Sequence, residues 1–152
     1  MNAAKQKQLS ASMEDYLEVI YHLSGSGMVA RSKDIAEGLG VSRASVTGAL
    51  RVLSEKALIN YKPYGVVTLT DRGRVEAYKI VRRHRVLESF FIDILGLDAV
   101  IAKESACRAE HALGQQVIGR LRDYIEFITA REDGDVALEF KQFYHKKQLP
   151  DA

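Results

Sequence analysis

The chain has 152 residues, 47% of them hydrophobic, with 22 Lys and Arg against 20 Asp and Glu for a formal net charge of +2, and a single cysteine. That length holds one medium domain or two small ones, and that apolar fraction buries a real core, so wholesale disorder is excluded. One cysteine excludes an intrachain disulfide, and with no apolar run of membrane-spanning length and no secretory pattern the sequence predicts a cytoplasmic protein that makes no membrane contact.

Residues 1 to 11 are polar and capless and read as a frayed arm. Ser12 is expected to cap a first helix whose positions Met13, Tyr16, Leu17, Ile20, Tyr21 and Leu23 make one apolar face before SGSG at 24–27 ends it. Asp15 and Glu18 stand three apart on that helix. Acidic residues in a first turn also serve the positive end of the helix dipole, so the pair means little alone.

From Ser32 to Ala57 the chain reads as two short helices joined by a tight turn. Ser32 is the expected cap of the first, Ile35, Ala36 and Leu39 its inner face, and Gly40 its left-handed stop. Val41 is expected to plug the turn. Ser42 caps the second helix, and Val46, Ala49, Leu50 and Leu53 seat it against the first. Arg43, Ala44, Ser45, Thr47, Gly48 and Arg51 fall on its open face. Small or hydrogen-bonding side chains near a helix start are what a helix needs to enter a major groove. A plain helical hairpin would share the turn, but the surrounding charge favours DNA. Residues 41 to 74 hold Arg43, Arg51, Lys56, Lys62, Arg72 and Arg74 against only Glu55 and Asp71.

Leu58 to Thr70 changes period. Ile59, Tyr61, Val66, Val67 and Leu69 flank KPYG, which predicts a two-stranded hairpin, the wing of a winged helix, with Lys62 and Tyr64 near its tip placed to meet backbone phosphate or the minor groove. Thr70 caps a helix that runs without a breaker to about Leu95 and leaves the first domain. The boundary is placed inside it, giving a DNA-binding domain over 1–78 and a helical domain over 79–152. Its second half, VLESFFIDIL, is too apolar for a surface helix and wants a partner, within the chain or across a two-fold axis.

Further helices are expected over Leu97 to Leu113 and Gln115 to Ala130, the latter with Val117, Leu121, Ile125 and Ile128 on its stripe. After a loop at REDGD, a last short helix spans Val136 to Tyr144, with Leu138, Phe140 and Phe143 available to pack. In CRAEH at 107–111, Cys107, Glu110 and His111 fall at i, i+3 and i+4, so thiolate, carboxylate and imidazole leave one helix face and can converge on one cation. His84 with Glu88, at i and i+4, and Asp15 with Glu18 are further pairs of ligand types. Any one pair has an innocent reading as a solvated charge. Three helices each supplying such a pair favour a metal site.

SMEDYLEVIY at 12–21, the winged helix-turn-helix, RRHRVLE at 82–88 and ESACRAEH at 104–111 together resemble the diphtheria toxin repressor and manganese transport regulator family of metal-activated repressors, over about residues 12 to 130. The resemblance implies a mainly α protein: an N-terminal winged helix-turn-helix followed by an all-helical metal-binding and dimerisation domain. The chain resembles the short, manganese-type architecture, without the C-terminal SH3-like barrel of the iron branch. It implies one metal site from Asp15, Cys107, Glu110 and His111, and a neighbouring site from Glu18, His84 and Glu88 with Glu110 shared. The manganese regulators have a carboxylate where this chain has Cys107. The iron branch has the cysteine, but a methionine at the position of Asp15 and a histidine at that of Lys103. A thiolate favours softer, later metals and carboxylates favour manganese, which puts iron(II) ahead of manganese(II), with one or two ions per subunit.

The function these expectations describe is a homodimeric repressor that senses Fe(II) or Mn(II), binds double-stranded operator DNA with paired half-sites and controls metal-uptake genes. A winged-helix DNA binder indifferent to metal is the alternative. A small metalloenzyme is a weaker one, since no nucleophile motif, phosphate loop or remaining domain is left for a small-molecule substrate.

Overall fold

The computed structural model describes residues 9–26, 29–131 and 134–148, and the chain divides into two units, Met1–Val81 and Arg82–Ala152. The first is organised around three helices and a hairpin. Helix α1 (Ala11–Gly25) is capped two residues earlier than expected: Ser10, not Ser12, accepts from Met13 N. Leu9 just before it packs on the core and pins the chain there, so residues 9 to 11 are not a frayed arm; residues 1 to 8 lie outside those described. Helix α2 (Ser32–Leu39) likewise takes Ser32 as its first helical residue, with Arg31 in the cap position and no side-chain cap. It stops at Gly40, whose φ of 65° is the left-handed conformation that lets its N–H reach back to Ala36 and Glu37 carbonyls.

Helix α3 (Arg43–Glu55) is capped by Ser42 and buries Val46, Ala49, Leu50 and Leu53 against α2 and α1. Val41 does not plug the turn. It is exposed, because the Val41 N–H bond to the Ala36 carbonyl closes the turn from the backbone alone. Strands β1 (Ile59–Asn60) and β2 (Thr68–Leu69) pair antiparallel, Ile59 opposite Leu69, and Val67 bridges to Ala30. Ile59, Val67, Leu69 and Ala30 thereby join Tyr16, Leu17, Ile20, Ile35, Leu50 and Leu53 in one core. Burial of this many aliphatic side chains, at about 1.5–3 kcal/mol each, is what offsets the cost of ordering so short a sheet.

Between α3 and β1 the backbone turns through Ala57, a non-glycine residue held at φ 54°. An L-residue pays roughly 1–2 kcal/mol there. Ala57→Gly is therefore expected to stabilise the protein by about 1 kcal/mol, read as a rise in the thermal midpoint.

Helix α4 (Asp71–Ser89) begins at Thr70, whose hydroxyl accepts from Gly73 N and donates to the Ala57 carbonyl, and it crosses the division between the units. The expected single helix to Leu95 ends otherwise. Residues Phe90–Ile94 form one π-helical turn, closed by Leu95 N to the Phe90 carbonyl and stopped by Gly96 at φ 69°. In the second unit α5 (Ala99–Glu110), α6 (Gln115–Thr129) and α7 (Val136–Gln148) all pack against that turn. Asp98 caps α5, which makes it shorter at both ends than Leu97 to Leu113. Leu87, Ala106 and Ile118 form the centre of this unit's core. On α6 the expected stripe holds at Leu121, Ile125 and Ile128, but its first inward residue is Ile118 rather than Val117, which is exposed. Leu138, Phe140 and Phe143 on α7 also remain exposed instead of packing. Among the described residues no helix is long and apolar enough to cross a membrane.

Candidate functional site

Two sets of side chains answer to the two chemistries. The first lies on the outer face of α3. Ser42 Oγ accepts from Ser45 N at 3.2 Å and lies 2.9 Å from Ser45 Oγ, which ties down the start of the helix. Arg43, Ala44, Ser45, Gly48 and Arg51 are exposed and Thr47 is half-exposed, its hydroxyl donating to the Arg43 carbonyl at 3.0 Å. The burial of Val46, Ala49, Leu50 and Leu53 on the opposite side leaves this face free to approach a groove. Lys62 and Tyr64 are exposed at the hairpin tip, where Gly65 N bonds the Lys62 carbonyl at 2.9 Å. Tyr64 is held at φ 62° with its ring in solvent, a strained conformation for a residue other than glycine.

The second set is in the helical unit. Helix α5 delivers Cys107 and Glu110, and His111 follows in its cap with φ −78° and ψ −23°, so the i, i+3, i+4 spacing survives although the helix ends at Glu110. Cys107 Sγ and a ring nitrogen of His111 lie within 4.8 Å of one another. Glu110 is fully buried. Its Oε2 accepts from His84 Nδ1 at 2.7 Å, while His84 Nε2 lies 3.9 Å from Glu88 Oε2 on the same helix. Its other oxygen, Oε1, is 3.4 Å from His111 Nε2 and makes no hydrogen bond among the described residues. A buried carboxylate oxygen left in this state costs free energy, by about 1–3 kcal/mol or more for a charged group. Set among two imidazoles, a second carboxylate and a thiol, it has the donor chemistry of a divalent cation site.

The structure thus gathers His84, Glu88, Cys107, Glu110 and His111 within the helical unit. Asp15 and Glu18 lie in the other unit, half-buried on one side of α1. A residue overlooked in the sequence is His22, whose Nε2 is 3.4 Å from Glu18 Oε1. The i, i+4 spacing of Glu18 and His22 was the available signal.

Known proteins resemble this chain along most of its length. Residues 8–67 match the N-terminal DNA-binding domain of the iron-dependent repressors, and residues 70–139 match their metal-binding and dimerisation domain. The HTH-type transcriptional regulator MntR of Bacillus pumilus is 34% identical over 128 residues, covering 84% of this chain and 88% of that protein. The diphtheria toxin repressor of Corynebacterium efficiens is 32% identical over 129 residues, 85% of this chain and 56% of the repressor. A manganese-dependent transcriptional repressor, solved in complex with manganese, is 35% identical with a TM-score of 0.70. The likeness covers 76% of this chain and 53% of that one. The chain therefore spans nearly the whole of the first relative and about half the length of the other two.

Proposed function

Because this chain belongs to the iron-dependent repressor family of metal-dependent transcriptional regulators, we propose that it is a cytoplasmic homodimer that responds to Fe(II) or Mn(II) and represses metal-uptake genes from operators with paired half-sites. It acts by binding and has no catalytic step. The observation that carries the metal assignment is the buried Glu110 carboxylate, with one oxygen on His84 and the other without a hydrogen bond among the described residues. A buried carboxylate oxygen left without a hydrogen bond costs free energy, and a divalent cation offsets it.

One ligand set comprises Asp15, Cys107, Glu110 and His111, and its neighbour Glu18, His84 and Glu88 with Glu110 shared, for one or two ions per subunit. Asp15 and Glu18 enter from the sequence pattern and the family resemblance. The Cys107 thiolate puts Fe(II) ahead of Mn(II). When bound, the ion supplies positive charge and a preference for ligand directions. In its absence Asp15, Glu18, Glu88 and Glu110 repel one another, and α1 is not held to a single arrangement. With their charge compensated, these side chains hold the arrangement in which the α3 helices of the dimer match successive major grooves. Regulation requires that this arrangement bind the cation more tightly than the others do.

The test is anaerobic titration of metal-free protein with Fe(II) and Mn(II) separately, scored by binding to operator DNA. Oxygen is excluded because the exposed Cys107 is open to oxidation. Equal DNA affinity in chelator and in excess metal would remove the switch. Replacing Arg43 by Ala is expected to weaken DNA binding by about 1–3 kcal/mol, roughly 5- to 150-fold, with metal affinity unchanged. Operator titration beside metal-binding calorimetry separates the two effects.

A further inference from the structure

Gly48 sits inside α3, where glycine is the least favourable helix residue after proline. Nothing among the described residues accounts for it. Its φ is not positive, and a Cβ built there meets, among the described residues and beyond its own helical turn, no atom within 4 Å. Gly38 is different, since its Cβ would press on Val19 at 3.2 Å, and so is Gly73, where the Leu58 carbonyl fills the space. Around Gly48 the surface is shallow. Ala44 precedes it by one turn, the Ser45 hydroxyl is turned to Ser42, and the Thr47 hydroxyl is folded back on the Arg43 carbonyl. Gly119 on α6 is equally open. What separates Gly48 is that α3 belongs to a DNA-binding domain, so a ligand for its outer face is given.

We infer that Gly48 is a specificity-determining residue of the DNA interface: the missing side chain lets the α3 backbone come close to base edges in the major groove, and any larger residue holds the helix away. The inference rests on the reading of α3 as the groove-entering helix. It is tested with Gly48→Ala and Gly48→Leu, on a duplex that the wild-type protein selects from a randomised library in Mn(II). Both variants gain helix propensity and are expected to melt higher, by about 2–8 °C for alanine. Operator affinity is expected to move the opposite way, in the order Gly, Ala, Leu, reaching about a tenfold loss or more for leucine. The salt dependence stays the same, because the phosphate contacts are kept. Wild-type affinity in both variants, with Arg43→Ala impaired, overturns this inference alone. Wild-type affinity in all three takes α3 out of the groove and removes the underlying reading as well.

Discussion

Glu110→Gln is expected to abolish the metal dependence of operator binding while leaving the protein folded and dimeric. The substitution is nearly isosteric, and the amide oxygen can still accept the 2.7 Å hydrogen bond from His84 Nδ1. A neutral amide is also cheaper to bury than a carboxylate, so the metal-free fold loses nothing. What disappears is the negative charge that both proposed ligand sets share. A coupling of about 1–3 kcal/mol corresponds to a metal-induced gain in DNA affinity of roughly 5- to 150-fold, and that gain should fall to about one. Operator titrations in chelator and in excess Mn(II), with sedimentation to follow the dimer, measure it. A variant that keeps the full gain would place the metal elsewhere.

The second large effect is on stability. A Cβ at Gly73 would overlap the Leu58 carbonyl oxygen and lie 2.7 Å from its carbon, and both are backbone atoms that no rotamer change can move. That carbonyl also accepts from Thr70 N at 3.0 Å, while the Thr70 hydroxyl spans Gly73 N and the Ala57 carbonyl, so hairpin and α4 are locked at this corner. Gly73→Ala is expected to cost about 3 kcal/mol or more, at the upper end for overpacking, and to lower the melting midpoint on the order of 10 °C. Gly38→Ala, which meets only the end of the Val19 side chain at 3.2 Å, should cost far less. Thermal melts of the two variants side by side decide whether the corner is as rigid as its geometry implies.

The difference between what could be read in the amino-acid string and what could not follows the range of the interactions. The α2–turn–α3 unit is legible because its signals are local: Gly40 at the stop, Ser42 at the cap, and four apolar residues at helical spacing. The same holds for Cys107, Glu110 and His111, which share a face by spacing alone. His84 and Glu110 are 26 residues apart, and no local period announces their 2.7 Å contact. The inward side of α6 is legible at Leu121, Ile125 and Ile128, and only its first residue is not, because Val117 and Ile118 are both apolar and adjacent and periodicity permits either. The exposed aromatic residues of α7 were misread for a related reason: hydrophobicity indicates that a side chain prefers burial, not that the fold provides a place for it. The π turn was invisible because FFIDI is apolar on nearly every side, and a change of helical pitch leaves no mark in such a run.

That wide turn at Phe90–Ile94 has a geometric consequence. A turn closed by i→i+5 hydrogen bonds takes up one residue more than an α turn, and one residue of α-helix corresponds to about 100° of rotation. The segment therefore sets the angle at which the chain leaves α4, which bears His84 and Glu88, for the Gly96 turn and α5, which bears Cys107 and Glu110. Deleting a single residue here, with all five donor residues retained, would bring α5 out of step with α4 and scatter donors that no point substitution had touched.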